Sequence, residues 1–415
     1  MMHSKNVNND INVKKEKLKD LKVSIIMPSY NKYDYVSLSL YCLNKQTFSR
    51  ADYEVILVDD CSTDNTHLIL EEFNPLFNFK YIRPKKNIGR SKARNLGLRY
   101  AKGDIIIFLD AEMLTEPDFI ENHFRHHQNE ENLVVCGAMH YRGIYTFLTS
   151  KYNQNQWSHI NSFVGNDSFF KFSYKNYIQN HPGSDSLYPL ITNKNIDDYS
   201  YKRLSFPNWY FTNMLNTGLR DFGSDLRNYT LPYIAFLTGN VSVHRKQLEK
   251  TGYFDESFQG YGAEDWELGY RLYKESARFI LDPKCFSYHQ EHPVSPSNFQ
   301  EAMGNLYKFM KKHPHFDVLS LALEHKPGLT FTQIHYVVSQ YNELSNLYPD
   351  DLKEFKQTLC DMLLKLVKRL KNNKPVENLH DTDIHKAKIL IQQLKSVRDN
   401  QLYALADTFE ELFKL

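Results

Sequence analysis

The sequence predicts an α/β fold, a mainly parallel sheet with helices on both faces, followed by a C-terminal α-helical region. Short apolar runs alternate with helical patterns through the first third of the chain. That alternation is typical of parallel sheets whose two faces are both buried. It returns near residue 234, and beyond residue 297 only helical periodicity remains.

Four apolar runs predict the first strands, because each is short and is bounded by polar residues, glycine or proline. They are Val23–Pro28, Tyr53–Val58, Phe79–Ile82 and Ile105–Leu109. Helical patterns at Tyr35–Leu43, Leu68–Phe73 and Ser91–Ala101 separate them. Ligands bind at the carboxyl ends of the strands in such sheets, so the polar clusters that follow three of these runs are candidate site residues.

The chain divides by composition into three parts. Residues 1–21 are polar and predict a flexible leader, and residues 22–296 carry the α/β pattern. Residues 141–230 interrupt that pattern with Tyr, Phe, Asn and Ser and little periodicity. The length and aromatic content of this stretch predict a partly helical, functional insertion over the active-site face. Residues 297–415 form the helical region.

The helical region contains an amphipathic pattern with apolar residues at three- and four-residue steps. These are Leu352, Phe355, Leu359, Leu363, Leu366 and Leu370. Two further helices are predicted at 384–397 and 402–412. Apolar helix faces pack on their own domain or on a second copy, so a homo-oligomer formed through these helices is one expectation.

Bulk properties exclude several classes of protein. The 415 residues carry a net charge of +2, which gives no global attraction to nucleic acid. No apolar run is long enough for a membrane span, and the N-terminus lacks a signal-peptide core. Five scattered cysteines without CxxC spacing indicate reduced thiols. We therefore expect a cytoplasmic protein that meets substrates made in the cytoplasm.

Two blocks of motifs resemble known enzymes. The first resembles the opening of a family 2 glycosyltransferase with the GT-A fold: Val23-Ser24-Ile25-Ile26-Met27-Pro28-Ser29-Tyr30-Asn31, Val58-Asp59-Asp60-Cys61-Ser62-Thr63-Asp64, Asn87-Ile88-Gly89-Arg90-Ser91-Lys92-Ala93-Arg94-Asn95 and Gly103-Asp104 followed by Phe108-Leu109-Asp110-Ala111-Glu112. The second resembles the C-terminal half of galactosyltransferases and of polypeptide N-acetylgalactosaminyltransferases: Gly239-Asn240, Gly252-Tyr253-Phe254-Asp255-Glu256 and Gly262-Ala263-Glu264-Asp265.

The resemblance implies a nucleotide-sugar site at the strand ends. Pro28 and Tyr30 would line the base, with Asn31 beside them, and Asp60 would accept a hydrogen bond from the uracil imide or the ribose. An ionised carboxylate only accepts hydrogen bonds, which favours uridine over an adenine nucleotide and leaves guanosine and thymidine open. The competing interpretation is that Asp60 caps the following turn.

Two arginines follow in the same block. Arg90 and Arg94 would face the diphosphate, since the guanidinium fork donates two hydrogen bonds to phosphate, or they would support the acidic loop. A solvated helix face is the alternative for both.

The resemblance also implies a divalent metal, Mn²⁺ or Mg²⁺, held by hard oxygen ligands. Asp110-Ala111-Glu112 occupies the family's DxD position, with Glu112 in place of the final Asp. Asp110 is expected both to ligate the metal and to bind the nucleotide-sugar donor, and Glu112 to ligate the metal. His289 matches the histidine that related enzymes use downstream, and His292 is its rival.

The resemblance also implies an acceptor site at the acidic pair Glu264-Asp265, where a helix is predicted to start. Asp265 is expected to act as general base, while Glu264, Trp266 and Gly239 would contact the acceptor. Trp266 is equally consistent with packing of the helix on the sheet. Glu267 is expected to face away or to pair with Arg271 at i,i+4.

The resemblance therefore predicts metal-dependent, inverting transfer of a sugar from a UDP-sugar to an acceptor hydroxyl, in cell-envelope or capsular glycan synthesis. A glycan, a peptide or a small molecule could be the acceptor. A retaining or peptide-directed transferase is one alternative, because the second block also resembles retaining enzymes. A catalytically silent sugar- or nucleotide-binding scaffold is another, supported by the Glu112 departure alone.

Overall fold

The computed structural model describes residues 10–15, 21–137, 142–181, 183–207, 220–326 and 329–415. The strands in these ranges are β1 (Asp10–Lys15), β2 (Val23–Ser29), β3 (Tyr53–Asp59), β4 (Asn78–Arg83), β5 (Ile105–Leu109), β6 (Met113–Thr115), β7 (Leu133–Cys136), β8 (Arg142–Ile144), β9 (Phe147–Leu148), β10 (Tyr188–Pro189), β11 (Ser205–Pro207), β12 (Asn240–His244), β13 (Arg278–Leu281) and β14 (Ser287–Gln290).

The α-helices in the same ranges are Tyr33–Asn44, Ile69–Glu72, Arg90–Tyr100, Phe119–His127, Gln154–Phe163, Lys171–Asn180, Asn193–Asp197, Arg245–Thr251, Glu264–Lys274, Asn298–Lys312, Phe316–Leu319, Phe331–Leu347, Lys353–Lys371, Ile384–Asp399 and Tyr403–Phe413. None of them combines the length and apolar content needed to cross a lipid bilayer.

By its internal contacts the chain forms two compact units. The first contains Met1–Thr212, Tyr233–Glu256 and Leu268–Ser295, and the second contains Asn213–Pro232, Ser257–Glu267 and Pro296–Leu415. The last segment of the second unit begins at Pro296, one residue before the start of the predicted helical region. Two segments of the predicted α/β domain nevertheless cluster with the C-terminal helices.

The main sheet of the first unit has the strand order β1-β4-β3-β2-β5-β12-β7-β13. Strands β4, β3, β2 and β5 run parallel to one another, and β13 is parallel to β7. Strand β12 is antiparallel to both of its neighbours, β5 and β7. The prediction of a mainly parallel sheet is confirmed, with β12 as the reversal within it.

Alternate residues of the central strands cover the two faces of this sheet. Ile25 and Met27 of β2 join a buried cluster that includes Val36 of helix Tyr33–Asn44. The intervening Ile26 meets Gly97 of helix Arg90–Tyr100, where a Cβ would lie 2.7 Å from the isoleucine side chain. Helices therefore cover both faces, as the alternation in sequence predicted.

The predicted leader contains a strand. Asp10–Lys15 pairs antiparallel with β4, with Ile11 opposite Ile82. Parallel β4 would otherwise be an edge with an unpaired row of backbone groups, which β1 covers. The alternation Asp-Ile-Asn-Val carries the period-2 signal of a strand, and the lysine-rich composition obscured it. Residues 1–9 and 16–20 lie outside the described ranges.

The predicted insertion is partly helical and has its own aromatic core. Tyr145, Phe147, Tyr152, Ile160 and Tyr177 are among the buried residues of that core. Strand β8 belongs to a second sheet with the order β11-β8-β14-β6, which joins the insertion to the segment carrying His289. Of the predicted 141–230, residues 141, 182 and 208–219 lie outside the description.

The second unit is built from the predicted C-terminal helices. Helix Lys353–Lys371 buries Phe355, Leu359, Leu363 and Leu366, which confirms the amphipathic pattern. Stacked rings join its helices to one another, among them Phe355 on Phe409, with centroids 4.5 Å apart. The helices Ile384–Asp399 and Tyr403–Phe413 match the two further predictions within two residues at each end.

Candidate active site

The predicted nucleotide residues follow the carboxyl ends of adjacent parallel strands. Pro28 lies within β2 and Tyr30 and Asn31 follow it, while Asp60 follows β3 and Asp110 follows β5. Strands β3, β2 and β5 are neighbours in the sheet, so these ends share one edge. That edge is where α/β sheets of this kind bind ligands.

Asp60 binds the backbone of the loop that follows β4. Its two carboxylate oxygens accept hydrogen bonds from the N–H of Ile88 at 2.7 Å and of Gly89 at 2.8 Å. Burial raises the pKa of Asp60, although these two bonds oppose the shift. Each carboxylate oxygen has a second lone pair, so Asp60 can still accept a bond from a base. Its nucleotide role stays a prediction beside an observed role in holding the loop.

Asp59, one residue earlier, is a structural group. It is fully buried, and Arg83 and Tyr81 both donate to its Oδ2. Its Oδ1 accepts a hydrogen bond from the N–H of Ser62 at 2.8 Å. These contacts fix the turn that places Asp60 at the strand end.

The base-pocket residues Tyr30 and Asn31 differ in what they contact. Asn31 adopts a positive φ of 53°, and its Oδ1 accepts a bond from the N–H of Thr63 at 2.7 Å. Tyr30 is 47% exposed at the open edge of the sheet. An exposed ring beside a rigid turn can stack on a nucleotide base, whereas Asn31 holds the neighbouring turn in place.

Asp110 is paired with Arg94. Arg94 Nη2 lies 3.0 Å from Asp110 Oδ1, and the arginine side chain is almost fully buried. Of the two roles expected for Arg94, support of the acidic loop is the one with an observed contact. Gly239 approaches the other oxygen, since a Cβ there would lie 3.4 Å from Asp110 Oδ2. A glycine at 239 therefore keeps space beside Asp110.

Three half-buried side chains form a group that could hold a metal ion. The ligand atoms of Glu112, His289 and His292 lie within 4.8 Å of one another. Strand β14 pairs with β6 so that His289 is opposite Met113, which brings the histidine segment to Glu112. The structure thus unites both rival histidines. Asp110 is not a member of the group, so its ligand role stays a prediction.

Lys32 and His292 keep Glu112 charged. Burial would raise the pKa of Glu112, but Lys32 and His292 outweigh burial and hold the pKa well below its usual value. Lys32 Nζ lies 3.7 Å from Glu112 Oε1, and His292 Nε2 lies 3.2 Å from the same oxygen. Burial lowers the pKa of Lys32, although Glu112 and Asp110 oppose this. No sequence pattern pointed to Lys32, which directly follows the Pro-Ser-Tyr-Asn motif.

Glu291 is a second residue that the sequence analysis missed. Its Oε1 lies 3.3 Å from His289 Nδ1. Burial alone would lower the pKa of His289, but Glu291 reverses the direction and raises it. Carboxylate partners of this kind orient the ring of metal-binding histidines. The signal was present in the sequence, since residues 289–292 contain three side chains of metal-ligand type.

The insertion holds this histidine segment from the other side. Strand β8 pairs parallel with β14, with Gly143 opposite His289. Tyr152 Oη donates to the carbonyl of Glu291 at 2.8 Å, and Gln156 Nε2 donates to the carbonyl of His292 at 2.9 Å. The insertion therefore supports the candidate metal group through backbone contacts.

Two of the predicted acceptor residues, Glu264 and Trp266, and the predicted base Asp265 belong to the second unit, whereas Gly239 belongs to the first. Glu264 is buried and begins helix Glu264–Lys274 directly after Ala263, which has a φ of 65°. Asp265 Oδ1 accepts a bond from the N–H of Trp266 at 2.8 Å. The indole Nε1 of Trp266 is buried without a hydrogen bond to the described residues.

Glu267 has partners that the sequence did not predict. It is fully buried, and it accepts bonds from Lys312 Nζ at 2.7 Å and His313 Nε2 at 3.0 Å. The two expectations for Glu267, that it faces away or that it pairs with Arg271 at i,i+4, did not include Lys312 and His313, partners that sequence spacing does not reveal. The helix start is therefore bound to the C-terminal helices through Glu267.

The sheet, mainly parallel with acidic residues at its carboxyl edge, has the features expected of a GT-A glycosyltransferase. The model of glycosyl transferase family 2 matches residues 24–187, and that of the N-terminal domain of galactosyltransferase matches residues 220–292. The chain is 33% identical over 304 residues to the uncharacterized glycosyltransferase YfnE of Bacillus subtilis (strain 168), covering 73% of each chain. The chain belongs to glycosyltransferase family 2 and is a glycosyltransferase.

Two further likenesses accompany this assignment. The chain is 30% identical over 300 residues to the chondroitin synthase of Escherichia coli, covering 71% of this chain but only 39% of that protein. The crystal structure of S. aureus TarS 1–349 in complex with UDP-GlcNAc matches with a TM-score of 0.49 and 18% identity, covering 95% of this chain and 91% of that one.

Proposed function

We propose that this glycosyltransferase moves a sugar from a UDP-sugar to a hydroxyl of a growing glycan, with metal dependence and inversion at the anomeric carbon. The observation that carries the proposal is the grouping of Glu112, His289 and His292 beside the donor edge of a family 2 sheet. The likeness to a chondroitin synthase supports a glycan acceptor and a role in cell-envelope or capsular synthesis.

The donor would bind along the carboxyl edge of β3, β2 and β5. Tyr30 and Pro28 would flank the base, and Asp60 would accept its ring N–H while still holding the loop at Ile88 and Gly89. Arg90 begins the helix that follows this loop, where its guanidinium would pair with the diphosphate.

The chemistry of the ligand group fits a divalent metal, Mn²⁺ in preference to Mg²⁺. Glu112 is ionised and offers a hard oxygen, while two imidazoles favour a transition metal over Mg²⁺. Glu291 would orient His289, and the backbone bonds from Tyr152 and Gln156 would fix the segment between the histidines. When bound, the metal would offset the charge that develops on the departing UDP.

Asp265 would act as the general base. Its carboxylate would take the proton of the acceptor hydroxyl while the acceptor oxygen bonds to the anomeric carbon of the donor. The bond from that carbon to the UDP oxygen breaks, and UDP leaves with the electron pair. One base and one in-line displacement give inversion. Glu264, Trp266 and Gly239 would contact the acceptor.

The test is a thermal-shift screen of nucleotide sugars with and without Mn²⁺, followed by determination of product configuration. A ligand that binds only the folded protein raises its melting temperature. We expect a UDP-sugar to protect the protein only with Mn²⁺ and to yield product of inverted configuration. In Glu112→Gln the Kd for Mn²⁺ should rise by at least the roughly 10-fold that loss of an outer-shell partner costs.

The control is Glu121→Gln, which removes an acid from the exposed face of helix Phe119–His127. Its Mn²⁺ affinity should match that of the unaltered protein. Protection by UDP-sugars without any metal, or a product of retained configuration, would contradict the proposal.

A further inference from the structure

The first C-terminal helix, Asn298–Lys312, binds the backbone that leads to the acidic pair. Asn305 Nδ2 donates to the carbonyl of Gln259 at 2.8 Å and to that of Tyr261 at 3.1 Å. Glu301 Oε2 accepts a bond from the N–H of Tyr261 at 2.9 Å. Two side chains of one helix therefore satisfy three backbone groups of residues 259–261.

This loop has a contorted backbone that lies against the helix. Gly260, Gly262 and Ala263 all have positive φ, at 73°, 94° and 65°. A Cβ on Gly262 would lie 3.2 Å from the Cα of Ala302, which leaves no room for a larger residue. Positive φ is unfavourable for alanine and persists only where the surroundings enforce it. The contacts with the helix are positioned to enforce it.

The same helix also holds the chain after Asp265. Lys312 and His313, at its C-terminal end, bond the buried carboxylate of Glu267. Asp265 thus lies between two anchored points, residue 261 and residue 267, on a segment that clusters with the C-terminal helices.

We propose that helix Asn298–Lys312 acts as a clamp that holds the loop Ser257–Glu267 in one conformation. In this proposal Asn305 and Glu301 are positioning residues for Asp265. The inference rests on the proposed role of Asp265 as base and assigns these two residues a part in the reaction. A base must lie within hydrogen-bond reach of the proton that it takes, so a small displacement of the loop lowers the rate without removing any reacting group.

The experiment combines hydrogen exchange with kinetics on the full chain. Asn305→Ala removes both donors, Glu301→Ala removes the acceptor, and Glu301→Gln keeps an acceptor oxygen as a conservative rescue. Lys311→Ala, at an exposed position of the same helix, is the matched control. Exchange of the peptide spanning Ser257–Glu267 is measured by mass spectrometry, with melting temperature and the Kd for the UDP-sugar alongside.

We expect faster exchange of this peptide in Asn305→Ala and Glu301→Ala, and near-normal exchange in Glu301→Gln and Lys311→Ala. In the two alanine variants kcat should fall by roughly 100-fold, as a misplacement of ~1 Å can cause, with donor Kd unchanged. Unchanged exchange would overturn the clamp. Faster exchange with normal kcat would overturn the positioning role. If the unaltered protein transfers no sugar from any donor, the proposed function fails, while the exchange data still decide whether the clamp exists.

Discussion

Side chains at the carboxyl edge of the main sheet hold the neighbouring loops in place through hydrogen bonds and an ion pair. Asp60 binds the N–H groups of Ile88 and Gly89, Asn31 binds that of Thr63, and Arg94 binds Asp110. A site whose side chains are fixed before the ligand arrives loses less entropy on binding. These contacts fix the side chains at the carboxyl edge before any ligand binds, while Tyr30 beside them is exposed.

A second polar network at the residue scale is buried beneath the sheet. His123 bonds Ser242 and Asn240, and His127 bonds the same serine at 2.8 Å. Asn240 continues the network to the carbonyl of Cys285, ahead of β14. Burial lowers the pKa of His123 to about 4 and that of His127 to about 3.

These histidines predict an acid-sensitive stability. Both pKa values are lower in the folded than in the unfolded chain, so the unfolded chain binds more protons. The stabilisation is complete above the unfolded value of 6.5 and is lost as the pH falls towards 4 and 3. The loss per histidine between pH 6.5 and 5 should be about 2 kcal/mol.

The measurement is the free energy of unfolding from urea titrations at pH 7 and pH 5. His127→Gln removes one buried titrating group, so its stability should fall less between the two pH values than that of the unaltered protein. His385→Gln, at an exposed position, is the control and should keep the full pH dependence. An equal fall in all three proteins would show that other groups set the acid sensitivity.

At the scale of elements, the insertion supports the candidate metal segment. Helix Gln154–Phe163 begins with a capping box formed by Asn153 and Gln156, and Gln156 also donates to the carbonyl of His292. One side chain thus couples the start of a helix to the chain beside Glu112. This gives the aromatic insertion a role in keeping the two histidines in register.

Loss of that coupling should weaken metal binding. Gln156→Ala removes the bond to the carbonyl of His292 and the side-chain half of the capping box, while the bond from the backbone N–H of residue 156 to Asn153 Oδ1 remains. We therefore expect the Kd for Mn²⁺ to rise by about 10-fold, the lower range for outer-shell partners. Electron paramagnetic resonance of free Mn²⁺ during titration measures this Kd. Gln154→Ala, at an exposed position of the same helix, should bind Mn²⁺ normally. If the two variants bind Mn²⁺ with equal affinity, the bond from Gln156 does not support the metal site.

The sequence predicted the elements with strong periodicity and missed those set by tertiary contacts. The central strands and the helix at Lys353–Lys371 follow from apolar spacing, and the strand-end carboxylates follow from motif order. The role of Glu291 depends on the pairing of β14 with β6 and β8, and that of Lys32 on its approach to Glu112, neither of which a local pattern encodes. The insertion has no clear period because its aromatic residues pack on one another, not on a regular face.

At the scale of the whole molecule, the segment that carries Asp265 belongs with the C-terminal helices. Ser257–Glu267 clusters with Pro296–Leu415, although family resemblance placed it in one continuous catalytic domain. The bonds of Asn305, Glu301 and Lys312 explain this grouping. Within the second unit, the helical region therefore holds the segment that carries Asp265.

The central claim, that Asp265 takes the proton of the acceptor, is tested most directly by Asp265→Asn. Turnover and the Kd for UDP with Mn²⁺ are measured on the same preparation. The account predicts that turnover falls by roughly 10²- to 10⁴-fold, the usual contribution of a general base, with UDP affinity preserved. Retained turnover, or an equal loss of UDP affinity, would contradict it.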